Sequence, residues 1–137
     1  MRLQQAAAAL CVLLVLGAVP AGGQQTRPEA QTRSAEWYAE RALRAVEAEN
    51  YQGAVSTLTE GQEVHPEAVE LRTILGDLYF DEELYRLALQ EYREAERIEP
   101  NNFSVLHSAA LSLRRLNREE ESVRYLERLL DLYPDSP

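Results

Sequence analysis

The side chains able to do chemistry in this 137-residue chain are carboxylates, hydroxyls, two histidines and one cysteine. Their spacing argues against catalysis. The carboxylates gather in runs, Asp81-Glu82-Glu83 and Glu119-Glu120-Glu121. A catalytic pair needs desolvation to move its pKa values apart, whereas runs at turns and helix starts stay solvated and are favoured there by the helix dipole. His65 sits beside Pro66 and reads as a helix-end residue, and His107 stands alone. Neither has a second ligand four residues on or a nucleophile motif nearby. Cys11 lies in an opening apolar segment, so a chain cut after Ala21 or Gly23 has no thiol for a disulfide, redox step or metal site. The reading is a protein that is no enzyme, with no cofactor and no metal.

The formal net charge is −9, and every basic side chain is Arg because the sequence contains no Lys. An excess of carboxylates repels the phosphate backbone that supplies most non-specific nucleic-acid affinity. A nucleic-acid partner is therefore not expected.

The elements that would position these groups follow from a period. Pro66, Pro100 and Pro134 are 34 residues apart, and in that frame Ala54 falls over Ala88 and Ser122, Leu58 over Tyr92 and Leu126, and Ala42 over Gly76 and Ala110. Leu75-Gly76, Tyr79, Ala88, Tyr92, Ala95 and Pro100 resemble the tetratricopeptide repeat (TPR), whose signature is L-G-x2-Y, then A-x3-F, then a closing Pro. The resemblance implies an all-α fold, an α-solenoid of three helix-turn-helix hairpins, that binds a protein or peptide. The units would be residues 35–68, 69–102 and 103–136. The first departs from the pattern, with Arg41 where Leu is usual and no Gly or Tyr of the motif.

Apolar spacing predicts helices over 35–48, 52–64, 69–81, 85–98, 103–115 and 119–132. Asn50-Tyr51 marks a turn, and His65-Pro66 ends the second helix because proline disfavours an α conformation in the residue before it. Gly76 costs up to ~1 kcal/mol in a helix interior, so it needs a packing reason; close approach of two helices at Gly76 and Ala88 would supply one. Asn102-Phe103-Ser104 matches the N-glycosylation pattern, but Asn102 also stands where a side chain caps free helix amides.

In a TPR stack the first helix of each hairpin lines the inner wall. Its outward stripe gives Glu36, Ala39, Leu43 and Glu47, then Glu70, Thr73, Asp77 and Phe80, then Ser104, His107, Leu111, Arg114 and the adjacent Arg115. This wall is acidic through two units and basic at its end. It suits a segment with basic residues and an apolar side chain for Phe80 and Leu43, and a carboxylate could reach Arg114 and Arg115. Some TPR domains hold a C-terminal carboxylate through Lys and Asn; here Leu43 and Asp77 occupy the positions where such an Asn is expected, and Lys is absent.

The chain opens with Arg2, an apolar run from Ala6 to Val19, and Pro20-Ala21-Gly22-Gly23. This reads as a signal peptide over residues 1–23, followed by a polar linker over 24–34. The run is shorter than the ~20 apolar residues that span a bilayer, so export to the periplasm or outside the cell is expected, with an uncleaved membrane anchor as the alternative. At the other end no capping helix follows the third unit, leaving Leu126, Leu129, Leu130 and Tyr133 partly bare. Three explanations account for that: a longer repeat protein or enzyme of which this is the docking part, self-assembly of two copies through the last helix, or a partner docked there.

Overall fold

The computed structural model describes residues 33–135, which form six helices. They are α1 (Ala35–Glu47), α2 (Tyr51–Val64), α3 (Val69–Asp81), α4 (Tyr85–Ile98), α5 (Phe103–Arg115) and α6 (Glu119–Leu132). The leader and nearly all of the linker lie outside the described residues. Among the described residues no helix is long and apolar enough to cross a membrane.

Helix starts follow from local chemistry. Ser34 accepts from the Trp37 amide, Asn50 from Gly53 and Asn102 from Val105, each satisfying an amide with no intrahelical partner. Asn50 is thus the cap, and Tyr51 is already helical. The first helix of every hairpin ends in the same way. Glu49, Glu83 and Asn117 adopt left-handed backbone with φ of 57°, 59° and 59°. The following amides then reach back to Ala45, Tyr79 and Leu113 at 2.8, 2.8 and 2.9 Å, the six-to-one bond of a Schellman turn.

Helices pack in chain order, α1 on α2, α3 on α4 and α5 on α6, with α2 against α3 and α4 against α5 joining the hairpins. The first helices of successive hairpins also touch, α1 to α3 and α3 to α5, so they build one continuous wall. One apolar cluster gathers Tyr38, Leu58, Leu71, Leu75 and Leu78; a second gathers Leu89, Tyr92, Val105, Ala109 and Leu113, and Tyr79 packs against both.

Small residues close the hairpins, but not by the contact expected at Gly76. A β-carbon there would lie 2.6 Å from Cε1 of Tyr92, so what the glycine makes room for first is an aromatic ring of α4. In the 34-residue frame the other hairpins pair Ala42 with Leu58 and Ala110 with Leu126: the residue opposite shrinks to the extent that its partner grows.

The expected bare end is corrected in part. Leu129 is only 6% exposed. The equivalent Gly61 sits against Tyr38, whereas the frame puts the shorter, buried Leu106 in the place of Tyr38. Tyr133 is half-buried: its ring meets Phe103 edge-on at 5.3 Å and its hydroxyl donates to the Asn101 carbonyl. Leu126 and Leu130 do remain 39% and 64% exposed. Leu58 and Tyr92, which precede Leu126 in the frame, are 0% and 1% exposed because a following helix covers them.

The departures in the first unit have a related cause. Arg41 stands where α3 has the buried Leu75, but no hairpin among the described residues packs on that side of α1, and its guanidinium lies 5.3 Å from the Trp37 ring. A cation over an aromatic face shields apolar surface while keeping its charge hydrated.

Candidate functional site

The wall made by α1, α3 and α5 carries the residues expected to face a partner, and the structure separates them into groups. Glu36, Leu43 and Glu47 are exposed on α1. Glu36 is drawn to the helix start, where a hydrogen bond with Ser34 lowers its pKa. Ala39, placed on the same stripe by spacing, is buried instead, within the first apolar cluster that α1 forms with α2 and α3. On α3, Glu70 is exposed, and the half-buried Thr73 hydroxyl bonds back to the Glu70 carbonyl at 2.9 Å. His107 is exposed and stacks on Phe103 at 5.9 Å, toward α6; Ser104 and Arg114 are exposed on α5.

Three of the expected residues, Asp77, Phe80 and Leu111, do converge. With Asp81, Tyr92 and Ser108 they line a cleft of about 360 Å³ where α3, α4 and α5 meet. Tyr92 comes from α4 and is buried, and its hydroxyl donates to Oδ1 of Asp77 at 2.6 Å. Burial raises the pKa of the phenol, and the bond to Asp77 raises it further, while a side-chain hydrogen bond with Ser108 acts the other way. The Asp77 carboxyl is also pushed up. Its inner part is withdrawn from water and Asp81 adds a like charge, against the opposing bond from Tyr92, although the outer edge of the residue stays open to solvent.

Apolar surface flanks these acids. Phe80 meets Tyr85 edge-on at 5.1 Å, and the Arg115 guanidinium lies 5.9 and 5.8 Å from the centres of the two rings. Arg115, expected to reach a partner's carboxylate, is exposed and lies beside these two rings. The cleft thus sets carboxylate and hydroxyl oxygens beside apolar walls. Among the described residues no group of three or more His, Cys, Asp or Glu side chains could hold a metal ion.

Asp81, Tyr92 and Ser108 were absent from the expected wall. Asp81 reads in sequence as one of a solvated run, Tyr92 as a filler between helices, and Ser108 lies one position off the outward stripe. The signal available for Asp81 was its place four residues after Asp77, on the same face of α3.

Behind the cleft a second polar network ties three helices together. Arg72 of α3 approaches Glu91 of α4 at 3.4 Å, and the Gln62 side chain of α2 donates to the same carboxylate at 3.1 Å. Burial raises the pKa of Glu91, and Arg72 and Gln62 oppose that shift.

Residues 69–102 and 103–136 each match the family model described as a tetratricopeptide repeat. No curated protein matches the chain. Among solved structures, MamA protein is similar at 20% identity with a TM-score of 0.68, covering 74% of this chain and 55% of that one. The first TPR of Spaghetti (RPAP3), bound to the HSP90 peptide SRMEEVD, is similar at 20% identity and a TM-score of 0.67, covering 75% and 84%. The Arabidopsis OM64 TPR domain is similar at 18% identity and a TM-score of 0.66, covering 74% and 84%. The chain thus spans little more than half the length of that MamA structure. At these identities the likeness is one of fold. This chain carries tetratricopeptide repeats at residues 69–102 and 103–136, and its described part is an all-α tetratricopeptide-repeat solenoid.

Proposed function

We propose that this chain is a non-catalytic adaptor that holds a segment of a partner protein along the wall of α1, α3 and α5, within an exported or envelope-associated assembly. TPR domains commonly mediate protein–protein interaction. The observation that carries the reading is the cleft at Asp77, Phe80 and Leu111, a concave site with apolar walls and fixed hydrogen-bond acceptors on that wall. The Spaghetti neighbour, bound to the peptide SRMEEVD, supports peptide binding as a use of the fold. An acidic peptide of that kind would meet like charge here at Asp77 and Asp81, so the segment differs in chemistry. Export rests on the leader: a basic start, a short apolar run and small residues at the expected cut.

The test is selection of peptides from a displayed library against the purified protein, followed by affinity measurement on variants. Selected peptides should lose affinity on Asp77→Ala, Phe80→Ala or Arg114→Ala and keep it on Arg97→Ala of the exposed face of α4. If none of the three wall changes lowers affinity, binding occurs elsewhere. Export is checked by N-terminal sequencing of the protein from its natural host; a start at Gly22 or Gln24 is expected, and an intact Met1 contradicts it.

A second reading, self-assembly through α6, is favoured by the exposure of Val123, Leu126 and Leu130 at helical spacing. It requires a concentration-dependent dimer in sedimentation, and a monomer at high concentration removes it.

A further inference from the structure

The cleft is chemically one-sided. Asp77 and Asp81 lie one turn apart on α3, so their carboxylates reach the same opening. Among the described residues the Tyr92 hydroxyl is the one bonded partner of Asp77, and Asp81 has none. The nearby cation, Arg115, sits against the rings of Phe80 and Tyr85. Two carboxylates, one partly withdrawn from water, thus share a site with no bonded counter-charge, which is the condition an added cation relieves.

The remaining walls say what shape of cation fits. Phe80 and Leu111 present apolar surface, while Tyr92 and Ser108 contribute hydroxyls to the lining. A lysine or arginine side chain has this build, an apolar stem ending in a hydrated charge. The volume of about 360 Å³ is at the small end for ligand pockets, room for one long side chain. The bond from Tyr92 fixes one oxygen of Asp77 and leaves the other to accept from a cation. The sequence has no Lys, so no lysine of this chain can fill the cleft.

We propose that the cleft receives one basic side chain, lysine or arginine, from the partner segment, its stem against Phe80 and Leu111 and its charge between Asp77 and Asp81. This rests on the wall being the binding surface and names what the wall selects.

The experiment is a titration of the isotope-labelled protein, followed by amide shifts, with the blocked peptide acetyl-Ala-Leu-Lys-Leu-Ala-amide and its norleucine counterpart, which keeps the stem and lacks the charge. The lysine peptide should shift the amides of Asp77, Phe80, Asp81, Ser108 and Leu111. Exposed ion pairs are worth roughly 0.2–1 kcal/mol, so Asp81→Asn should weaken it about 1.4-fold to fivefold and the norleucine change should weaken it at least as much. Asp81 is exposed and unbonded, so its replacement leaves the fold intact. Added salt should weaken the lysine peptide and not the norleucine one. Equal affinity for the two peptides, or no effect of Asp81→Asn, overturns the proposal. If both peptides instead shift Leu43, Glu70 or His107 without regard to charge, the cation site fails and the wall reading stands; if neither they nor library-selected peptides touch the wall, both fail.

Discussion

A methyl group added at Gly76 tests how the second hairpin closes. The new β-carbon of Gly76→Ala would lie 2.6, 2.9 and 3.0 Å from Cε1, Cζ and Cδ1 of Tyr92. Carbon atoms in good contact are about 3.5–4.0 Å apart, so the ring would have to retreat by roughly 1 Å. It is poorly placed to do so, being 1% exposed and held through its hydroxyl by Asp77. Overpacking of this kind costs about 1–3 kcal/mol, while replacing glycine by alanine in a helix gains up to ~1 kcal/mol. The net expectation is a loss of about 0–2 kcal/mol, toward the upper end because the ring is fixed at both ends. Tyr92→Leu reproduces what the first hairpin has at Leu58, opposite Ala42. In that background the added methyl should be neutral or stabilising. The four proteins of the cycle, compared by urea unfolding with circular dichroism, should show a coupling of about 1–3 kcal/mol between the two sites. If Gly76→Ala changes stability equally in both backgrounds, the close contact between Gly76 and Tyr92 is not what requires the glycine.

Two further predictions concern charge. Because the folded-state pKa of Asp77 is raised above its ordinary 3.8, the native protein binds that proton more readily than the unfolded chain. The contribution of Asp77 to stability is then greatest below pH 3.8, declines as pH rises through the raised folded value, and is flat above it. Asp77→Asn keeps an acceptor for Tyr92 without the charge, so its stability relative to the parent should be more favourable at pH 7 than at pH 3.5 in urea unfolding; a pH-independent difference contradicts the assignment. Removing Glu91 strands the largely buried Arg72 guanidinium, whose Nε has no partner. Glu91→Ala should cost about 3–5 kcal/mol, and Arg72→Leu with Glu91→Leu should cost less than that single change; the reverse order by thermal unfolding would show that the pair is not what the site depends on.

The architecture was legible because its causes are local and repeat. The 34-residue step of Pro66, Pro100 and Pro134, the small residues at Ala54, Ala88 and Ser122, and the cap at Asn102 each act within one hairpin. A window of sequence therefore contains both partners of each contact. Six helices at nearly the expected boundaries follow. The outward stripe of α3 and α5 was legible for the same reason, since helical spacing alone decides which side chains share a face.

What the tertiary structure decided is which of those side chains meet. Tyr92 fills the space beside Gly76 and grips Asp77, though in sequence it reads only as a filler. Ala39 leaves the wall for the first apolar cluster, and Leu129 is buried while Leu126 and Leu130 are not. The Arg115 guanidinium lies beside the rings of Phe80 and Tyr85, side chains of two other helices. Each of these depends on the volume and position of a side chain from another helix, and periodicity within one helix carries no information about that. The repeat could be read from spacing, but the cleft exists only where three helices bring Asp77, Tyr92 and Ser108 together.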